Sequence, residues 1–135
     1  MAISLKSNSD GVTGSIQVNG TDAITFSASG VQTLREVSSA LASGVIDTTV
    51  ASVFTITATA NTTFSVVNVP SSGTVCSFIL EITNGGAYTI TWWSGIDWAS
   101  GIPPTLTAAG RDMLSFITYD GGTTWNGMFL GRDMK

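Results

Sequence analysis

From about Ile46 to the C-terminus, apolar and polar residues alternate with a period of two. Clusters of Gly, Asn, Asp or Pro interrupt the alternation at roughly the 8–12-residue spacing of short strands joined by turns. A helix needs its apolar residues three and four apart, so this pattern predicts strands and excludes a helical domain. Val53–Thr59 sets Phe54, Ile56 and Ala58 against Thr55, Thr57 and Thr59. Thr62–Val69 is a further strand region. Thr74–Thr83 carries Cys76, Phe78, Leu80 and Ile82 on one face, with Val75, Ser77, Ile79 and Glu81 on the other. Asn84-Gly85-Gly86 predicts a hairpin turn into Ala87–Trp93, and Pro103-Pro104 excludes helix from the loop 95–105. Arg111–Tyr119, the turn Asp120-Gly121-Gly122 and Thr124–Leu130 complete the series. The expected fold is all-β: an antiparallel β-sandwich or jelly-roll over 46–135.

Residues 1–45 differ, with Phe26 as their only aromatic residue. Asn19-Gly20, between Val12–Val18 and Ala23–Ser27, predicts a hairpin. A lone hairpin is unstable in water, so 1–32 is expected to be an extended arm lying on something larger. Leu34, Val37 and Leu41 fall at i, i+3 and i+7, so 33–45 reads as a short helix or an extended linker.

Several functions are excluded by composition. Five basic residues against nine acidic ones give a net charge of −4, and the chain contains no histidine. Scattered cations cannot track a phosphate backbone, so nucleic acid is not an expected partner. The lack of histidine removes Ser–His and Cys–His nucleophile systems and most zinc or copper sites. Apolar runs are too short to span a membrane, and the N-terminal residues lack the apolar core of a signal peptide. Synthesis in a cytoplasm is therefore expected. Charged residues make up 10% of the chain, against about 25% in an average soluble domain. With strands apolar on both faces, that scarcity predicts burial against copies of itself or another partner.

Among the motifs, Thr118-Tyr-Asp120-Gly-Gly122-Thr-Thr124-Trp125 fits the S/T-x-D-x-G-x-T-W pattern of the Asp-box, a β-hairpin turn with a structural role. Asp120 can accept backbone hydrogen bonds there while the glycines take positive φ. Trp92, Trp93 and Trp98 are candidate glycan-stacking or interface aromatics, against the plainer reading of core packing. Trp93 falls opposite Trp92 and is expected to be half exposed. No carboxylate pair is marked out for glycoside hydrolysis, although Asp97 is the best placed. Cys76 reads as a small buried apolar residue. Gly110-Arg-Asp-Met113 recurs as Gly131-Arg-Asp-Met134. No catalytic residue, cofactor or metal ligand is expected.

The stretches 73–92, 104–113 and 116–125 together resemble a module of tailed-bacteriophage virion proteins, found in tail fibres, appendages and head-decoration proteins. The segment Ser15-Ile-Gln-Val-Asn-Gly-Thr-Asp22 is similar to segments in the same class. The resemblance implies a β-rich, non-enzymatic and usually homotrimeric structural protein, assembled in the bacterial host cytoplasm and carried on the virion. Within that class, the expected role is a capsid decoration (cement) protein that binds the major capsid protein through the arm. The alternative is a short tail fibre that contacts tail proteins and a host surface glycan.

Overall fold

A computed structural model describes the backbone of three N-terminal strands and all of residues 37–135. The chain divides into two compact units, Met1–Arg35 and Glu36–Lys135. In the first, β1 (Ile3–Ser7), β2 (Gly14–Val18) and β3 (Thr21–Phe26) form an antiparallel meander in the order β1-β2-β3. The expected turn at Asn19-Gly20 lies outside the described residues, but the strands that flank it do pair. β1 was not expected. The register of the meander sets out five rows. Leu5–Ile16–Ile24 is an apolar row and Ser4–Gln17–Asp22 and Lys6–Ser15–Thr25 are polar rows, whereas Ile3–Val18–Thr21 and Ser7–Gly14–Phe26 are mixed, and the β2–β3 register shifts between Ile16 and Gln17.

The second unit contains ten strands. They are β4 (Ser38–Ala40), β5 (Val45–Asp47), β6 (Val53–Thr57), β7 (Thr62–Thr63) and β8 (Ser65–Val67), then β9 (Cys76–Thr83), β10 (Ile90–Thr91), β11 (Ile96–Trp98), β12 (Arg111–Thr118) and β13 (Trp125–Gly131). Six of them make one sheet in the order β11-β13-β12-β9-β6-β4. β9, β12 and β13 pair antiparallel, whereas β4–β6, β6–β9 and β11–β13 are parallel. Two short parallel ladders, β5–β8 and β7–β10, lie outside that sheet.

The chain therefore coils. It returns to the large sheet at β4, β6 and β9, each pass parallel to the last, and visits the small ladders in between. Parallel neighbours need a crossover, which is usually a helix. Here Thr- and Val-rich segments disfavour helix, and short strands do the crossing.

The all-β expectation therefore holds, but the purely antiparallel arrangement does not. The helix considered for 33–45 is absent from its described part, where Ser38–Ala40 is a strand paired with Val53–Thr55; Leu34 lies outside the described residues. The hairpin expected at Asn84-Gly85-Gly86 does not form either. Gly85–Ala87 is a single 3-10 turn, and β10 joins β7 instead of folding back on β9. The reason is crowding. A Cβ on Gly86 would run into the carbonyl oxygen of Leu106, and the Gly86 N–H donates to Thr107 O at 3.0 Å. The glycines are needed here for the close passage of another segment. The loop expected at 95–105 also holds a strand, β11, which lies parallel to β13.

Alternation along β9 and β12 builds the core. Cys76, Phe78, Leu80 and Ile82 are buried beside Leu114, Phe116 and Thr118, and the register places Leu80 against Leu114 and Phe78 against Phe116. Phe54, Trp125, Ile46 and Phe64 close the same cluster. Each such apolar side chain contributes about 1.5–3 kcal/mol through removal from water. Cys76 belongs to this core as expected, and burial pushes its thiol pKa up.

The repeated Gly-Arg-Asp-Met sequences meet at one corner of the sheet. The Met134 N–H donates to Arg111 O at 2.7 Å, and the Asp133 N–H donates to Asp112 Oδ1 at 3.0 Å. Asp112 is fully buried and also accepts from the Thr107 N–H (2.5 Å) and hydroxyl (2.7 Å). One carboxylate thus ties the loop before β12 to the segment after β13.

Candidate functional site

Two features singled out by the sequence lie close together at one end of the second unit, the Asp-box-like turn and the tryptophan cluster. The turn connects β12 to β13. Thr118, at the end of β12, faces inward and is buried. Its hydroxyl donates to Asp120 Oδ1 at 2.8 Å and accepts from the Gly122 N–H at 3.2 Å. Asp120 also accepts the Thr124 N–H on both oxygens, at 3.0 and 3.1 Å. Gly121 and Gly122 take φ of 77° and 83°, in the left-handed region that glycine occupies without steric cost. Trp125 then enters β13 fully buried.

Asp120 is held below the usual carboxylate range by the Thr124 backbone N–H, then by the Thr118 hydroxyl, against a smaller opposing effect of desolvation. The group is thus an ionised acceptor that organises a turn, and its lone pairs face donors of its own chain. Thr118→Val would keep the shape of the side chain while leaving the Gly122 N–H without its acceptor. Thermal or denaturant unfolding should show a loss of about 1–2 kcal/mol. An unchanged stability would mean that water replaces the hydroxyl at no cost.

Trp92, Trp93 and Trp98 converge on Phe116, with ring centroids 5.8, 4.7 and 5.6 Å away. Trp125 joins them through Phe78 (5.4 Å) and Trp93 (5.9 Å). Most of these contacts are edge-to-face or tilted, the arrangement that aromatic quadrupoles favour. Trp92 and Trp93 do not alternate across a strand, because β10 ends at Thr91. Both rings therefore reach the same core, and both are half-buried, as is Trp98. The three candidate aromatics form one packed cluster with partly open outer surfaces. They do not make a flat platform of parallel rings.

Asp97 is exposed on β11, next to Asn126 in the register of β13. Among the described residues there is no group of three or more Cys, Asp or Glu placed to hold a metal ion, and no helix long and apolar enough to cross a membrane.

Sequence reasoning missed two arrangements. The first is the convergence on Phe116, because alternation identifies an inward residue but not its neighbours. The second is the Asp112 tie, for which the repeated Gly-Arg-Asp-Met was the available signal. At this level the molecule is an all-β protein with an aromatic-rich core and a hydrogen-bonded turn at one end. Comparison with known protein families, curated proteins and solved structures found no match to this chain.

Proposed function

We propose that this chain is a non-enzymatic structural protein of a tailed-bacteriophage virion, a homotrimeric capsid decoration protein that binds the major capsid protein through its N-terminal strands. In this reading the large sheet and the two short ladders act as the two layers of a sandwich, and the N-terminal unit acts as the attachment arm. The observation that carries the reading is the register of β1–β3. The row Leu5–Ile16–Ile24 is apolar, its neighbours Ser4–Gln17–Asp22 and Lys6–Ser15–Thr25 are polar, and the described residues of that unit form a single three-stranded layer. A three-stranded layer that carries an apolar row gains stability by meeting another surface. The low charge of the chain and its resemblance to virion modules support the same reading.

Cement would act by burying apolar area across joints between capsid subunits, at roughly 25 cal/mol per Å² before the cost of association. The partly open surfaces of Trp92, Trp93 and Trp98 favour a second reading, a short tail fibre whose aromatic end contacts a host surface glycan. Quantitative gel analysis of purified particles separates the two. Cement requires hundreds of copies per particle, and a handful would end that reading in favour of the fibre. Removal of residues 1–32 should leave a folded β-domain that no longer joins particles. Particle binding by the shortened chain would overturn the role of the arm.

A further inference from the structure

At one corner of the second unit the chain passes twice from the large sheet to the short ladders, and the two passages differ in length. The first leaves β4 and enters β5. The Leu41 N–H donates to Thr55 O at 2.8 Å, and Gly44 O accepts from the Ser65 N–H at 3.0 Å. Residues 41–44 thus make this passage, whereas the one beside it takes residues 55–65. The short passage is pressed against the long one, since a Cβ on Gly44 would run into the Thr63 carbonyl oxygen. Where the long passage stands out beyond it, a cleft of about 310 Å³ remains. Leu41 and Ile56, both packed on the core, line its apolar part. The exposed side chains of Ser43, Thr57, Thr59, Asn61 and Thr63 line the rest. A second cleft of about 230 Å³ adjoins it at Leu41, Ile56 and Thr57 and reaches Thr55, Thr83 and Glu81.

We propose that the two adjoining clefts bind an uncharged saccharide. The site goes beyond both virion roles, and its lining includes none of Trp92, Trp93 and Trp98. Charge is the first argument. No side chain of the larger cleft is charged, and Glu81, the one charge of the smaller, is paired with Arg111 at 3.7 Å. A phosphate, sulfate or acidic sugar would meet no free cation here, and the chain carries −4 overall. Hydrogen bonding is the second argument. The side chains of the larger cleft make three bonds among the described residues: Val45 N–H to Ser43 Oγ (3.5 Å), Thr62 hydroxyl to Ala60 O (3.1 Å) and Thr89 N–H to Asn61 Oδ1 (2.9 Å). The last holds Asn61 in place and leaves its two Nδ2 donors open, beside the open hydroxyls of Thr57, Thr59 and Thr63. A purely apolar ligand would strand these groups away from water. A sugar hydroxyl both donates and accepts, as Ser and Thr do, so it can satisfy them. Shape is the third argument. The C–H face of a sugar ring can lie on Leu41 and Ile56 while its hydroxyls meet the polar rim. The larger cleft has the size at which small-molecule sites begin, about 300 Å³, and the smaller extends it for a second ring.

The test uses the full chain. Amide resonances are followed during titration with the methyl glycosides of glucose, galactose, mannose and N-acetylglucosamine, and with sialic acid as the anionic control. At least one neutral glycoside should shift the amides of Ser43, Thr57, Thr59, Asn61 and Thr63 with a millimolar dissociation constant, the range of a small uncharged ligand on an open site. Sialic acid should leave them in place. Asn61→Asp keeps an acceptor for the Thr89 N–H but removes both Nδ2 donors, so it should weaken binding by about tenfold or more. Should that variant fail to fold, Thr59→Val, at an exposed position, removes one hydroxyl and should weaken binding in the same direction. No shift with any of the four glycosides, or full binding by the folded variants, would overturn the site. Shifts at the indole N–H groups of Trp92, Trp93 and Trp98 with the cleft silent would also overturn it, and would favour the aromatic end of the fibre reading. Purified particles keep the two questions apart. Saccharide binding in the cleft by a chain never found on particles would end the virion role and leave the site standing.

Discussion

Truncation of Phe116 to alanine should lower the free energy of unfolding by about 3–5 kcal/mol, the upper range for core substitutions. Phe116 has no exposed surface, and its ring lies 4.7–5.8 Å from those of Phe78, Trp92, Trp93 and Trp98. The loss includes the transfer energy of the ring and the cavity left behind, because four large neighbours held by separate strands and loops cannot all collapse into it. Edge-to-face contacts add about 0.5–1.5 kcal/mol per pair beyond area. A single domain has roughly 5–15 kcal/mol in total, so the variant should sit near the edge of folding. Its near-ultraviolet circular dichroism should fall with it, since three tryptophans lose their common neighbour. Phe116→Leu should recover part of the stability by filling part of the space. A drop below about 1 kcal/mol for the alanine variant would show that the cluster repacks freely and would contradict the close-packed arrangement.

The second large effect concerns Asp112. Its burial raises the pKa, but this is outweighed by the N–H groups of Thr107 and Asp133, the Thr107 hydroxyl and the charge of Arg132. The net shift is downward from 3.8. A carboxylate depressed in the folded state stabilises the protein above its unfolded pKa, and that contribution disappears as pH falls through the folded value. The melting temperature should therefore be flat near neutral pH and fall below about pH 3.8, the ordinary value. Asp47 and Asp120 are shifted in the same direction and steepen the same limb. Asp112→Ala should cost about 1–3 kcal/mol for each buried donor left without an acceptor. It should also free the segment after β13, because Asp133 loses its acceptor, and hydrogen exchange at Asp133 should accelerate. In Asp112→Asn, the amide would turn an N–H toward a backbone N–H, so the variant should be destabilised at neutral pH and show a shallower acid limb. An acid limb as steep as that of the wild type would remove Asp112 from the account.

The inward placement of Phe116 could be read from the chain, whereas the burial of Asp112 and the surroundings of both could not. Phe116 and Leu114 alternate with Ser115 and Ile117, and this alone puts them on one face. That Phe116 meets three tryptophans from 92–98 follows from β10 stopping at Thr91 and from β11 running beside β13. The apolar second face was visible as Val75, Ile79, Met113 and Ile117 at the other parity. That Val53, Ile79, Ser115 and Met128 share one row across β6, β9, β12 and β13, with Glu81 and Asn126 in the rows beside it, required the register.

The sequence alone placed strands at 53–59, 74–83, 111–119 and 124–130, which form as Val53–Thr57, Cys76–Thr83, Arg111–Thr118 and Trp125–Gly131, grouped Phe78, Leu80 and Ile82 on one face and Leu114 and Phe116 on another, and marked the turn at 118–125. These features are local, because side-chain period, β-branching and turn chemistry act within a few residues. Strand partners and strand direction were settled only by the tertiary structure. Backbone N–H and C=O groups are the same in every strand, so alternation says that a segment is a strand without saying beside what it lies. The parallel stacking of β4, β6 and β9, the 3-10 turn that replaced the hairpin at 84–86, and the meeting of the two Gly-Arg-Asp-Met sequences all come from long-range closure. There, a carbonyl of Leu106 or a carboxylate of Asp112 selects among arrangements that local propensity leaves equally open.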